Sequence, residues 1–415
     1  MTDSGAGPNW RKATGIAGAA IGVLAAGAAA GVAIERMTVG RGIRQKARLA
    51  LDSAGPYGSL RGNPGRAHGD DGTELYYEVD EVETPEKSEK GEKGEKSAAS
   101  EKGDGLAPRR RRLFGRKAPA PVTVVFSHGY CLSQDSWHFQ RAALRGVVRT
   151  VYWDQRSHGR SARGLAQIER REPVSIDQLG RDLKAVIDAA APEGPIVLVG
   201  HSMGGMTVMA LAAQFPELIR DRVVAVALVG TSAGRLGEVS FGLPVAGVNA
   251  VRRVLPGVLK ALGQQAELVE RGRRATADLF AGVIKRYSFA SRDVDPAVAR
   301  FAERMIEATP IDVVAEFYPA FTEHDKSEAL EQFTELPVLV LAGVRDLITP
   351  SEHSEAIADR LPDAELVLVP DAGHLVMLEH PEVVTDRLAD LLTRVGAVPA
   401  GVTVGGYGSS TAQPG

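Results

Sequence analysis

Three polar residues, Ser202, Asp346 and His374, each follow a short apolar run of the kind that makes a buried strand. Ser202 sits in Gly200-His201-Ser202-Met203-Gly204, between the apolar run 195–199 and a second apolar run, 206–212, of helical character. A strand that turns this sharply into a helix strains its central residue and crowds the neighbours. Positions 200 and 204 must therefore lack a Cβ, while the serine hydroxyl stands clear of the sheet. The helix begins at once and leaves its first-turn N–H groups, that of Met203 among them, facing any negative charge that forms beside the hydroxyl. This is a setting for a nucleophile that attacks a carbonyl.

The other candidates stand at similar corners. Asp346 comes just after Val338-Leu339-Val340-Leu341, and Thr349-Pro350 behind it reads as the N-cap and first residue of a helix. His374 follows the run 365–370 through Asp371-Ala372-Gly373. Loops beyond the carboxyl ends of parallel strands are where ligands and reacting groups gather. The strand at 121–126 ends in Ser127-His128-Gly129-Tyr130-Cys131. Its Gly129 lets the backbone curl back, so that the Tyr130 N–H joins that of Met203 in holding an oxyanion, each donor worth about 2.7–4 kcal/mol in the transition state. His128 reads as a brace for this loop and not as a proton carrier, and Cys131 as a packing residue. Asp154 and His158 share a Gly/Ser/Arg-rich turn, 154–161, in which a short acid bonds its own backbone, so Asp154 reads as structural support.

These corners need strands and helices in alternation, and the chain supplies them. Apolar runs at 71–80, 121–126, 147–153, 195–200, 223–230, 337–343 and 365–370 read as strands. The stretch 175–188 spaces its apolar residues as an amphipathic helix capped by Ser175. Such alternation implies an α/β fold with a mostly parallel central sheet and right-handed crossovers, flanked by helices. From about 233 to 333 the alternation lapses into helix-forming sequence, read as an inserted helical lid. Leu243, Pro244, Val245 and Phe280 within it suit an apolar substrate pocket, although residues of this kind are more often core.

The chain has 415 residues, 44% of them hydrophobic, enough to bury a large core. A net charge of -3 provides no basic field for nucleic acid. The single cysteine excludes an intrachain disulfide and a Cys-x-x-Cys metal site, and no His-Glu-x-x-His occurs. No metal or cofactor is expected.

Three segments stand apart from this domain of about 60–395. Residues 13–34 carry no charge and are about long enough to cross a bilayer, with Arg11 and Lys12 before them and Arg36, Arg41, Arg44, Lys46 and Arg48 after. The charge bias favours a membrane anchor within an N-terminal segment of residues 1–50, with the following domain in the cytoplasm. A secretory signal with export, or a soluble cytoplasmic helix, is the alternative. Residues 81–120 are a Glu/Lys/Gly-rich insert ending in Arg109 to Arg112, with nothing apolar to bury and therefore expected to be disordered. Its arginines read as a solvated loop, or as a contact for anionic lipid head groups. A Gly-rich tail, 396–415, is expected to be disordered as well. Oligomeric state is not legible.

The order Ser202, Asp346, His374, the Gly-x-Ser-x-Gly corner, the His128-Gly129 loop, the turn 154–161 and Glu379-His380-Pro381 after Gly373-His374 together resemble the α/β-hydrolase superfamily, in its serine esterase and lipase-like branch. The resemblance covers roughly 61–395 without the charged insert. It implies a catalytic triad in which His374 takes the proton of Ser202 and Asp346 orients the imidazole, with a small apolar ester as substrate. The same triad serves acyl transfer, perhydrolysis, and amide or carbon–carbon cleavage, and the fold also serves non-catalytic ligand binding. A serine at position 202, where epoxide-opening relatives carry aspartate, argues against that reaction.

Overall fold

The computed structural model describes residues 57–83, 120–170, 172–239, 285–291 and 293–398, with positions 253 and 257. The apolar run 13–34, most of the charged insert with its arginines, Leu243, Pro244, Val245 and Phe280, and the tail from 399 lie outside the described residues.

Eight strands form one sheet in the order β1-β2-β4-β3-β5-β6-β7-β8. They are β1 (Asn63–His68), β2 (Glu74–Asp80), β3 (Thr123–Ser127), β4 (Arg149–Trp153), β5 (Ile196–His201), β6 (Val223–Val229), β7 (Val338–Gly343) and β8 (Glu365–Val369). β1 and β2 pair antiparallel, as do β2 and β4, and every other pairing is parallel. The mostly parallel α/β sheet is the one the alternation implies, with the β1–β2 hairpin added at one edge.

The central strands β3, β5, β6 and β7 are apolar because both faces are covered. Val124, Phe126, Val197, Val199, Leu339 and Leu341 face one layer, which holds Phe139 and Leu144 of α1 (His138–Leu144) and Leu388 and Leu391 of α9 (Pro381–Arg394). Val125, Leu198, Val226 and Val340 face the other. That layer comprises α2 (Ile176–Ala190), α3 (Met203–Gln214), α4 (Pro216–Arg222) and α7 (Ser351–Arg360). Each fully buried Leu, Val or Ile contributes about 1.5–3 kcal/mol. Ser175 caps α2 by accepting the Gln178 N–H at 3.1 Å, and Leu179, Leu183, Val186 and Ile187 fall on its buried face.

Between β6 and β7 the described residues of the insertion form α5 (Pro296–Ala308) and α6 (Ile311–Glu323). Short α8 (Val376–Glu379) follows β8. Among the described residues no helix is long and apolar enough to cross a membrane.

Three local readings are corrected. Thr349 does not cap α7: the helix starts after Pro350, and the Thr349 hydroxyl is turned toward Asp346 instead. The insert boundary falls later than 81, because Val82 still pairs with Gly146. The domain runs past 395, since Val398 is buried in the core and Ala397 donates its N–H to the Leu392 carbonyl.

Candidate active site

Strand register brings the carboxyl ends together. Ser127 pairs with Gly200, His201 with Val229, and Gly343 with Val369, so β3, β5, β6, β7 and β8 finish along one edge. Ser202, Asp346 and His374 all follow from that edge.

Ser202 adopts φ 51° and ψ −118° between β5 and α3. This strained backbone costs on the order of 1–3 kcal/mol and persists only because the surroundings hold it. Its N–H donates to the Val229 carbonyl at 3.0 Å, and its own carbonyl accepts the Thr231 hydroxyl at 2.7 Å. A Cβ on Gly200 would stand 2.5 Å from the Gly204 carbonyl oxygen, and one on Gly204 would collide with the backbone of Ser127. Met203 is the first residue of α3, so its N–H has no partner within the helix.

The Gly129 loop lies directly against this corner, since a Cβ there would come within 2.7 Å of His201 Nδ1 and 3.2 Å of the Ser202 Cβ. His128 is fully buried. Its Nδ1 donates to the Gly129 carbonyl at 2.7 Å and its Nε2 accepts the Gln155 N–H at 2.9 Å. Burial, opposed by the Gly129 bond, pushes its pKa down to about 4, so the ring is neutral and both nitrogens are committed to holding the loop.

Asp154 and His158 do not form a pair. Asp154 accepts the N–H groups of Gln134 at 2.7 Å and Arg160 at 2.9 Å, and burial raises its pKa. His158 Nδ1 bonds the Arg156 carbonyl at 2.9 Å.

His374 Nδ1 and Asp346 Oδ2 are 2.7 Å apart, with both side chains nearly sealed from solvent. Asp346 Oδ1 also accepts the N–H groups of Ile348 at 2.8 Å and Thr349 at 2.9 Å. Burial alone would raise this carboxyl, but His374 and the backbone donors outweigh it and hold Asp346 below the usual carboxylate range. A carboxylate at Nδ1 fixes the proton there and leaves Nε2 as the basic nitrogen.

Two residues to which the sequence reading gave no part in the chemistry complete the arrangement. Thr349 places its hydroxyl 2.8 Å from both Asp346 Oδ2 and the Gly230 carbonyl. His201 Nε2 reaches the His374 carbonyl at 2.9 Å and so ties the strand end before Ser202 to the histidine loop. The Gly-His-Ser sequence carried a signal for His201, since a histidine beside the corner must point into the protein. The sequence marked Thr349 as a helix cap and gave no sign of its bond to Asp346.

The corner is roofed by α6. Tyr130 donates its hydroxyl to the Val314 carbonyl at 2.5 Å and packs its ring against Phe317 and Phe321. Met203 and Met206 share a cluster with Val313 and Phe317. A separate cleft of about 750 Å³ opens between Tyr57, Phe139, Val294 and Glu379 without including Ser202. Its lining includes Ser291, Glu379 and His380, but the strained Ser202 and the His374–Asp346 pair lie outside it, so the chemistry is read at the strand ends.

A model of the α/β-hydrolase fold matches residues 122–381, well over half of the chain. The chain belongs to the α/β-hydrolase family. As an α/β hydrolase it is similar to the 3-oxoadipate enol-lactonase 2 of Acinetobacter baylyi, 26% identical over 239 residues that span 54% of this chain and 72% of the relative. It is also 27% identical to the bifunctional esterase/perhydrolase DCH of Acinetobacter calcoaceticus, over 56% of this chain and 76% of the relative. Among solved structures, a thermophilic esterase from Thermogutta terrifontis superposes with a TM-score of 0.54 at 23% identity, covering 80% of this chain and 98% of that one. The enol-lactonase of Burkholderia xenovorans LB400 gives 0.55 at 24% identity, covering 79% and 100%. At these identities the structural likeness speaks for the α/β-hydrolase fold alone.

Proposed function

We propose that the protein hydrolyses carboxylic esters through an acyl-enzyme on Ser202, with His374 as general base and Asp346 as its orienting acid. The observation that carries this is the 2.7 Å contact of His374 Nδ1 with a carboxylate that also accepts the N–H groups of Ile348 and Thr349, at the strand edge from which Ser202 projects.

His374 Nε2 accepts the hydroxyl proton as Ser202 Oγ attacks the acyl carbonyl, and the imidazolium is stabilised by Asp346. The N–H groups of Tyr130 and Met203 receive the oxyanion. Collapse of the tetrahedral intermediate breaks the ester C–O bond, and the imidazolium proton goes to the departing alkoxide. Water then attacks the acyl-enzyme, giving its proton to His374, and release of the acid returns that proton to Ser202.

The apolar roof of Tyr130, Phe317 and Phe321 favours an apolar acyl or alcohol group. We read the insertion between β6 and β7 as the lid that selects it. The relatives named as an enol-lactonase and as an esterase/perhydrolase bring lactones and perhydrolysis into the substrate range to be tried. The anchor reading of residues 13–34 predicts that the whole chain sediments with membranes and that deletion of residues 1–50 releases it.

A panel of p-nitrophenyl esters of increasing chain length, with lactones alongside, tests the reading. Turnover that is strongest on one apolar chain length and lost in Ser202→Ala supports it; full activity of Ser202→Ala overturns it.

A further inference from the structure

His374 stands between two residues that are both tied to residues 288–291, the returning arm of the insertion. Leu375, on one side, donates its N–H to the Ser288 carbonyl at 2.9 Å. Gly373, on the other, donates its N–H to Glu379 Oε2 at 2.7 Å. The same carboxylate accepts the Ser291 N–H at 2.7 Å through Oε1 and the Ala290 N–H at 3.0 and 3.2 Å through its two oxygens. The fit leaves no slack, because a Cβ on Gly373 would stand 2.7 Å from the Ala290 nitrogen. Phe289, in the middle of this arm, is buried in the core. Amides donating to an ionised carboxylate make stronger bonds than neutral pairs do.

We propose that Glu379 is a positioning residue, whose one carboxylate joins the insertion's returning arm to the amide before His374, so that the seating of the insertion sets where the imidazole stands over Ser202. This rests on the reading of His374 as the base. In this role the carboxylate acts through the backbone on either side of the histidine and not on the reacting atoms. The geometry makes the charge specific. A carboxylate has an acceptor for the arm and another for Gly373, whereas a glutamine has one acceptor oxygen and must turn an N–H toward one of those two donors. Displacing a reacting group by about 1 Å costs on the order of 10²-fold in rate.

The test separates positioning from folding by counting competent sites. Wild type, Glu379→Ala, Glu379→Gln and Ser291→Pro, together with the Glu379→Ala/Ser291→Pro double variant, are titrated with a fluorophosphonate. The kcat per labelled site and KM are then measured on one p-nitrophenyl ester, and melting temperatures are recorded beside them. The expected result is a per-site kcat about 10–100-fold lower in Glu379→Ala with KM little changed. Glu379→Gln should fall between, and the double variant should be no worse than the poorer single one, since both substitutions break the same link. The proposal is overturned if per-site kcat is unchanged in Glu379→Ala and only the labelled fraction or the melting temperature falls, or if the two single losses multiply. A wild-type protein that is not labelled at Ser202 overturns the reading of the triad, and this proposal with it.

Discussion

His201, the residue immediately before Ser202, holds the main-chain carbonyl of His374 at 2.9 Å through its Nε2. The two rings lie 4.8 Å apart, centre to centre, and His201 is fully buried. Burial, helped by the neighbouring His374, pushes the His201 pKa down to about 3, so the ring is neutral and Nε2 carries the proton that makes this bond. The candidate nucleophile and the candidate base are thus linked by a donor that does no chemistry itself.

Replacing His201 with Ala should leave the His374 carbonyl without that donor and open a cavity, costing about 1–3 kcal/mol of stability. The kcat should fall by about tenfold or more with KM little changed, as for a small displacement of the base. Steady-state kinetics with a melting curve checks this. A variant that loses stability but keeps the wild-type kcat would show the contact to be structural only.

Asp346→Asn keeps the shape of the acid loop but removes the charge. The amide can turn an N–H toward Nδ1 and drive the imidazole proton to Nε2, the wrong nitrogen for a base. In triads of this chemistry the analogous change costs about 10⁴ in kcat. A comparable loss in ester turnover at neutral pH, with an intact fold by circular dichroism, is the expected outcome. A loss of less than about tenfold would remove Asp346 from the mechanism.

Stability should fall as the medium is acidified. Burial pushes the pKa of His128 down to about 4 and those of His158 and His201 to about 3, from an ordinary value of 6.5. In each case the unfolded chain binds a proton that the folded protein excludes. The stabilisation is therefore complete above about pH 6.5 and drains away as pH falls toward the folded pKa. At pH 5 each site costs on the order of 2 kcal/mol. Melting temperatures measured from pH 8 to pH 4 should drop steeply below about pH 6.5. A flat profile would mean that these rings are not held neutral.

How much of this was legible in the sequence follows from which interactions leave a pattern. Ser202 stands out because a strained corner demands glycines at 200 and 204 and apolar runs on both sides, all written in the local sequence. Asp346 is legible because it follows β7, buried on both faces and apolar throughout, and His374 because the edge strand β8 still carries the apolar run Leu366-Val367-Leu368-Val369. β1 is not, since Asn63-Pro64-Gly65-Arg66-Ala67-His68 buries only Ala67 and forms by pairing along the edge of β2. Thr349 looks like a helix cap in sequence, because a hydroxyl before Pro is compatible with either a cap or a bond back to Asp346, and only the fold decides. Glu379 was visible as part of the Glu379-His380-Pro381 step after Gly373-His374, but its partners are backbone amides, which no side-chain pattern reveals.

Tyr130 should separate its backbone from its side chain. Tyr130→Phe keeps the N–H proposed for the oxyanion while removing the hydroxyl that donates to Val314. The helix held by that bond is α6, so the substitution should raise hydrogen exchange across 311–323 and change the chain-length preference more than the maximal kcat. An unchanged exchange pattern would show that the ring stacking on Phe317 and Phe321 suffices to seat the helix.

The central claim is that Ser202 becomes covalently acylated. Acid-quenching the protein within its first turnovers of a p-nitrophenyl ester, followed by peptide mass spectrometry, tests it most directly. The account predicts one acyl group on the peptide containing Ser202, absent from Ser202→Ala and strongly reduced in His374→Ala. An acyl group on another residue, or ester turnover that persists in Ser202→Ala, would contradict it.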